Sequence, residues 1–136
     1  MQSESQLAAQ FFRAKDAAYT SPMTVRNWQA QGRSDFVLVD VRKAQPLPTK
    51  LIPGSIDIPL DELAERMHLL PKEKLLVLYC WDTWCSLATT AAVQLSSCGY
   101  DVKELNGGIA AWTALNLPVA DVSQDKNESA IAVCTC

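Results

Sequence analysis

The chain lacks a long apolar run: its strongest continuous stretch, Leu75-Leu-Val-Leu-Tyr-Cys80, is far short of the ~20 residues that a membrane-spanning helix needs. No basic excess exists either. A net charge of −3 and a pI near 5.0 supply no cationic footprint for a phosphate backbone, so neither nucleic acid nor anionic membrane is expected as a partner. There is one histidine, His68, remote in sequence from every cysteine and set among charged neighbours, which places it on the surface and counts against a Cys–His protease. Zinc-ligand spacing, a phosphate-cradling glycine loop and a dinucleotide fingerprint are all missing, so no cofactor or metal is expected. Glu4, Arg13, Lys15 and Asp16 interrupt the N-terminal apolar residues, unlike an export signal.

What is present suits one folded domain. The chain has 136 residues, 49% hydrophobic and 20% charged, a globular balance too small for two cores. Its five cysteines, Cys80, Cys85, Cys98, Cys134 and Cys136, are an odd number in a chain large enough to fold without staples, which implies free thiols and a reducing, cytoplasmic setting.

Residues 1–20 read as a helical extension, with Leu7, Phe11, Ala14 and Ala18 near helical spacing and Ser3 or Ser5 as the cap. A main domain over 21–120 begins with a short helix carrying Trp28. The first buried strand is Phe36-Val-Leu-Val-Asp-Val41. Pro46 and Pro48 predict an extended loop from Lys43 to Ile52, followed by a short strand at 55–58 and a helix over 60–70. The strand at 75–79 is followed by a helix from Ser86 to Cys98, a strand over 100–105, and a helix behind Gly107-Gly108 with Trp112 as its anchor. Strands alternating with helices require crossovers, hence an α/β domain with a mainly parallel sheet covered on both faces. The polar stretch 121–136 reads as a loose tail.

Ligands of such sheets bind beyond the strand C-termini, where Cys80 ends the most apolar strand and lies close before a helix. Amides of the loop Trp81, Asp82, Thr83, Trp84, Cys85 and Ser86, with the helix N-terminus, would favour a thiolate at Cys80. An inert buried cysteine is the competing reading. Cys85 is a candidate resolving thiol, able to close a disulfide with Cys80 if their Cα atoms lie within roughly 4.4–6.8 Å. Trp81 and Trp84 would give the loop an apolar rim suited to an organic or protein-borne acceptor, or would simply shield it. Asp40 and Arg42 are supporting residues: Arg42 could lend positive charge to the loop, or the two could form an ion pair that fixes the strand end. Cys134-Thr-Cys136 could bind a soft metal or act as a dithiol, but the tail supplies few further ligands.

Between Pro22 and Val119 the sequence resembles the rhodanese family. The stretches that carry the resemblance are Phe36-Val-Leu-Val-Asp-Val-Arg42, Ile52-Pro-Gly-Ser-Ile-Asp-Ile-Pro59, Leu76-Val-Leu-Tyr-Cys80, Ser86 with its helix, Cys98-Gly-Tyr100, and Leu105-Asn-Gly-Gly-Ile-Ala-Ala-Trp112. The resemblance implies a three-layer α/β/α fold around a mainly parallel five-stranded sheet. It also implies a sulfurtransferase that carries sulfur as a persulfide on Cys80, between a small sulfur donor such as thiosulfate or a persulfide and a thiol or protein acceptor. Active members commonly carry C-x-x-G-x-R where this chain has Cys80-Trp-Asp-Thr-Trp-Cys85, with Thr83 for the glycine and Cys85 for the arginine. Without that guanidinium, and with Asp82 adding negative charge, the loop is poorly suited to a small oxyanion donor. A Cys80/Cys85 dithiol redox protein and a non-catalytic binding module are the alternatives.

Overall fold

The computed structural model describes residues 1–122. Helix α1 spans Glu4–Ala18, and Ser3 starts it with a capping box: its hydroxyl accepts from the Gln6 amide while the Gln6 side chain accepts from the Ser3 amide. None of its residues is buried, and Leu7, Phe11 and Phe12 are exposed, so its apolar residues do not reach the core. Its chain continues into β1, Tyr19–Thr20, where the sequence reading placed only a helix end. Helix α2 follows at Pro22–Ala30, with Ser21 accepting from the Thr24 amide and Pro22 in the first turn, where a missing N–H costs nothing.

Strand β2 is Phe36–Asp40, β3 is Lys50–Leu51 and β4 is Ile56–Asp57. The helical stretch predicted over 60–70 is broken into a 3₁₀ turn at Leu60–Glu62, one α-helical turn, α3, at Leu63–Arg66, and another 3₁₀ turn at Met67–Leu69. Strand β5 is Leu75–Tyr79, α4 is Leu87–Ser97, β6 is Val102–Leu105, α5 is Gly108–Ala114 and β7 is Ala120–Asp121.

The main sheet has the order β1-β6-β5-β2-β4, and every pairing in it is parallel. Its fifth strand is thus β1. Strand β5 lies in the middle, so its residues Leu76–Tyr79 are fully buried, as a strand covered on both faces must be. Alternation splits the core into two layers. Leu76, Leu78 and Cys80 face α3 and α4 with Leu63, Ala88, Ala91 and Leu95, while Val77 and Tyr79 face α2 and α5 with Val25, Ile109 and Trp112.

Two expectations are corrected at the edge. Pro46 and Pro48 do not keep the whole segment 43–52 irregular, because Lys50–Leu51 pairs antiparallel with Ala120–Asp121 in a separate two-stranded sheet. The tail therefore does not begin at 121: Asp121 pairs with Lys50 both through the ladder and by an ion pair between their side chains. The two extended segments satisfy each other's backbone groups, which neither could do alone.

Candidate active site

Strand β5 delivers Cys80 to the C-terminal end of the sheet, and α4 begins after Ser86 on the same side. The turn between them is built by Asp82. Its carboxylate accepts from the amides of Trp84 at 3.0 Å and Cys85 at 3.1 Å, and its carbonyl accepts again from Cys85 at 3.3 Å. An aspartate that bonds its own downstream amides closes a turn without a glycine, which explains how Thr83 fits here. Two of the amides expected around sulfur are thus spent on Asp82; those of Trp81 and Ala88 do face the Cys80 sulfur.

The other side of the loop is held by α5. Ile109 donates to the Cys80 carbonyl at 3.0 Å and Ala110 to the Trp81 carbonyl at 2.9 Å. Such an approach requires Gly108. At φ +61° it sits where side chains are strained, and a Cβ there would lie 2.6 Å from the Cys80 carbonyl oxygen and 2.9 Å from the Asp82 nitrogen. The glycine pair, read from sequence only as a turn, sets how close the last helix comes to the cysteine loop.

Cys80 is 2% exposed, and its thiol donates to the Cys85 carbonyl at 3.5 Å. Burial, and next the adjoining Cys85 thiol, push its pKa up to about 12, against the smaller opposing effect of the Ala88 and Trp81 amides. This corrects the expectation of a thiolate. Amides favour the anion, but removal of water and a second sulfur disfavour it more. In this conformation Cys80 is a buried, protonated thiol, and Cys85, half-buried, adjoins it in the same loop.

Asp40 and Arg42 lie at the end of β2 beside Tyr79. Arg42 binds the Asp40 carboxylate with two nitrogens, at 3.0 and 2.8 Å, donates to the Lys50 carbonyl at 2.7 Å, and stacks at 4.6 Å from the centre of the Trp81 ring. Only 2% exposed, the guanidinium is fully engaged there. It joins β2, β3 and the cysteine loop, on the face opposite the Cys80 sulfur. Trp81 packs into the layer of Tyr79 and Trp112, whereas Trp84 is 89% exposed, so the loop tryptophans differ in role: one is an anchor and one projects outward. Thr83 and Ser86 are also exposed, and Ser86 caps α4 without a side-chain bond.

Two hollows flank the loop. One, of about 500 Å³, is lined by Arg42, Lys50, Trp81, Asp82, Ile109 and Thr113. The other, of about 190 Å³, is lined by Cys85 together with Lys15, Tyr19, Asp82, Glu104 and Asn106. Sequence reasoning missed Lys15, Tyr19 and Glu104, because α1, β1 and β6 meet Cys85 only in space. His68 is exposed, and among the described residues no cluster of His, Cys, Asp or Glu could hold a metal. Cys134 and Cys136 lie outside the described residues.

The rhodanese-like domain family matches residues 21–115. The chain belongs to the rhodanese family. The chain is 33% identical over 112 residues to the HTH-type transcriptional regulator Rv0324 of Mycobacterium tuberculosis, a match covering 82% of this chain and 48% of the regulator. The rhodanese chain thus spans about half the length of that relative. It is 33% identical over 86 residues to a sulfurtransferase of Allochromatium vinosum, covering 62% of this chain and 78% of that one. Among solved structures, a full-length Lactobacillus plantarum protein superposes with a TM-score of 0.81 at 28% identity, over 87% of this chain and 99% of that one. A thiosulfate sulfurtransferase from Pseudomonas aeruginosa matches with a TM-score of 0.65 at 26% identity, over 77% of this chain and 19% of that one. The three-layer fold with a parallel five-stranded sheet is that of the rhodaneses, and relatives named sulfurtransferases share it. No helix among the described residues is long and apolar enough to cross a membrane.

Proposed function

We propose that this rhodanese is a sulfurtransferase in which Cys80 holds the transferable sulfur as a persulfide and Cys85 passes it on. The reading rests on one observation: the two thiols adjoin within a single loop, where the Cys80 sulfur lies 3.5 Å from the Cys85 carbonyl and Cys85 borders a hollow. Cys80 attacks the outer sulfur of a donor, which leaves as a thiol if it is a persulfide and one sulfur shorter if it is a polysulfide, taking up the Cys80 proton. The Cys85 thiolate then attacks the outer sulfur of the Cys80 persulfide. A new S–S bond forms on Cys85, the bond to Cys80 Sγ breaks, and Cys80 recovers its proton. Burial that disfavours the Cys80 thiolate also limits reaction with thiosulfate, whose negative charges find no free guanidinium at this loop. A polysulfide or persulfide is the better donor and a thiol the acceptor, in a reducing compartment such as the cytoplasm that keeps both cysteines free.

A second reading is favoured by the same contact. If Cys85 attacks the inner sulfur, a Cys80–Cys85 disulfide forms and hydrosulfide leaves, and two external thiols restore the dithiol. Incubation with polysulfide followed by mass mapping of the cysteines separates the readings. Persulfide on Cys80, and on Cys85 only while Cys80 is present, supports transfer. A Cys80–Cys85 disulfide as the main product supports the redox cycle, and an unmodified pair rejects both in favour of a binding module.

A further inference from the structure

The hollow beside Cys85 encloses about 190 Å³, below the roughly 300–1,000 Å³ of sites for drug-sized ligands. Its occupant has only a handful of heavy atoms. Three separate elements supply its wall: Lys15 from α1, Tyr19 from β1, and Glu104 from β6, with Asp82 and Cys85 from the loop. Lys15 forms no ion pair among the described residues, whose ion pairs are Arg33–Asp35, Arg42–Asp40, Lys50–Asp121 and Arg66–Glu62. Glu104 also forms no ion pair among the described residues. It is half-buried, accepts from Thr89 at 2.9 Å, and its other partner is the neutral Tyr19 phenol. The Asp82 carboxylate is occupied by the loop amides. One cation and one carboxylate, neither in an ion pair among the described residues, therefore border the same small hollow as a thiol.

We propose that this hollow is the port for a small zwitterionic aminothiol, of the size and charge of free cysteine, which takes the sulfur from Cys85. Lys15 receives the carboxylate, Glu104 receives the ammonium, and the thiol meets the Cys85 sulfur. The step follows from the preceding reading, in which Cys85 bears the outer sulfur. The aminothiol's thiolate attacks that sulfur, the new S–S bond makes the small-molecule persulfide, and the Cys85–sulfur bond breaks to leave the Cys85 thiolate, which takes up the proton given by the aminothiol. No oxidant or reductant is consumed. A tripeptide thiol is too large to enter whole. The N-terminal helix is on this account part of the substrate site.

The test uses the full chain. Unreactive S-methylcysteine is added while alkylation of Cys85 is followed by mass, with exposed Cys98 as the internal control. Saturable protection of Cys85, and none of Cys98, is expected. Analogues lacking the carboxylate or the ammonium are expected to protect about tenfold less well, the worth of one charge-assisted contact. Lys15→Glu removes the advantage over the analogue without a carboxylate, and Glu104→Gln the advantage over the one without an ammonium. Equal protection by all three compounds, or an order of protection untouched by both variants, overturns the proposal. Since this readout needs no sulfur loading, a protein that protects Cys85 but takes no persulfide defeats the relay and leaves the port. One that takes persulfide on Cys80 without such protection defeats the port and leaves the relay.

Discussion

Alkylation of Cys80 by iodoacetamide as a function of pH is the most direct check on how the loop treats its sulfur. A thiol with the ordinary value of 9.0 is about one-tenth ionised at pH 8, whereas a value of about 12 leaves about 10⁻⁴ as thiolate, a difference of about a thousandfold. The more basic thiolate is the stronger nucleophile, with a Brønsted slope of roughly 0.4–0.5, which returns about 15- to 30-fold over the three pH units. Cys80 is therefore expected to react roughly 30- to 60-fold more slowly at pH 8 than a thiol of that ordinary value, before its 2% exposure is counted. Its rate keeps rising about tenfold per pH unit through pH 10, because the titration lies above that range. Cys85→Ala removes the second-largest cause of the elevation and is expected to lower the pKa and speed the reaction, without restoring an ordinary thiol, since burial remains. A Cys80 rate that levels off below pH 9 refutes the reasoning: it means that the Trp81 and Ala88 amides outweigh burial.

Further outcomes follow from the packing. Gly108→Ala places a Cβ against three backbone atoms of the Cys80 loop, so it is expected to lower both thermal stability and sulfur loading, read by melting and by persulfide mass. Arg42→Ala leaves Asp40 buried without its cation and costs about 3–5 kcal/mol in denaturant titration, mostly as lost stability, because the guanidinium faces away from the sulfur. Trp84→Ala, at an 89% exposed position, changes stability by no more than about 0.5 kcal/mol, and a drop in transfer to a protein acceptor without a change for small thiols would assign the ring to partner contact. Burial, the largest cause, raises the Glu104 pKa on folding, so its contribution to stability is full below the unfolded value and is lost as pH rises through the folded one. Glu104→Gln is accordingly expected to be more stable than the natural protein at neutral pH, with the difference vanishing under acid conditions.

Apolar continuity at Phe36–Val41 and Leu75–Tyr79 was enough to determine two central parallel strands, with Cys80 at the end of the second, because strand burial and crossover rules depend on nearest neighbours along the chain. Strands of two residues carry no such pattern. Tyr19–Thr20 and Lys50–Leu51 become strands because β6 and β7 offer them free backbone groups, which only the assembled fold supplies. The charge state of Cys80 was equally illegible: local amides argue for a thiolate, while the α4 side of the core, packed over it, removes the water that an anion needs and outweighs them. The sequence by itself determined which layers form and that the Cys80 loop follows the central strand. Tertiary structure alone decided how deep the sulfur lies and which distant charges, Lys15 and Glu104, border its neighbour, since desolvation and Coulomb interactions depend on distance in space and not on spacing along the chain.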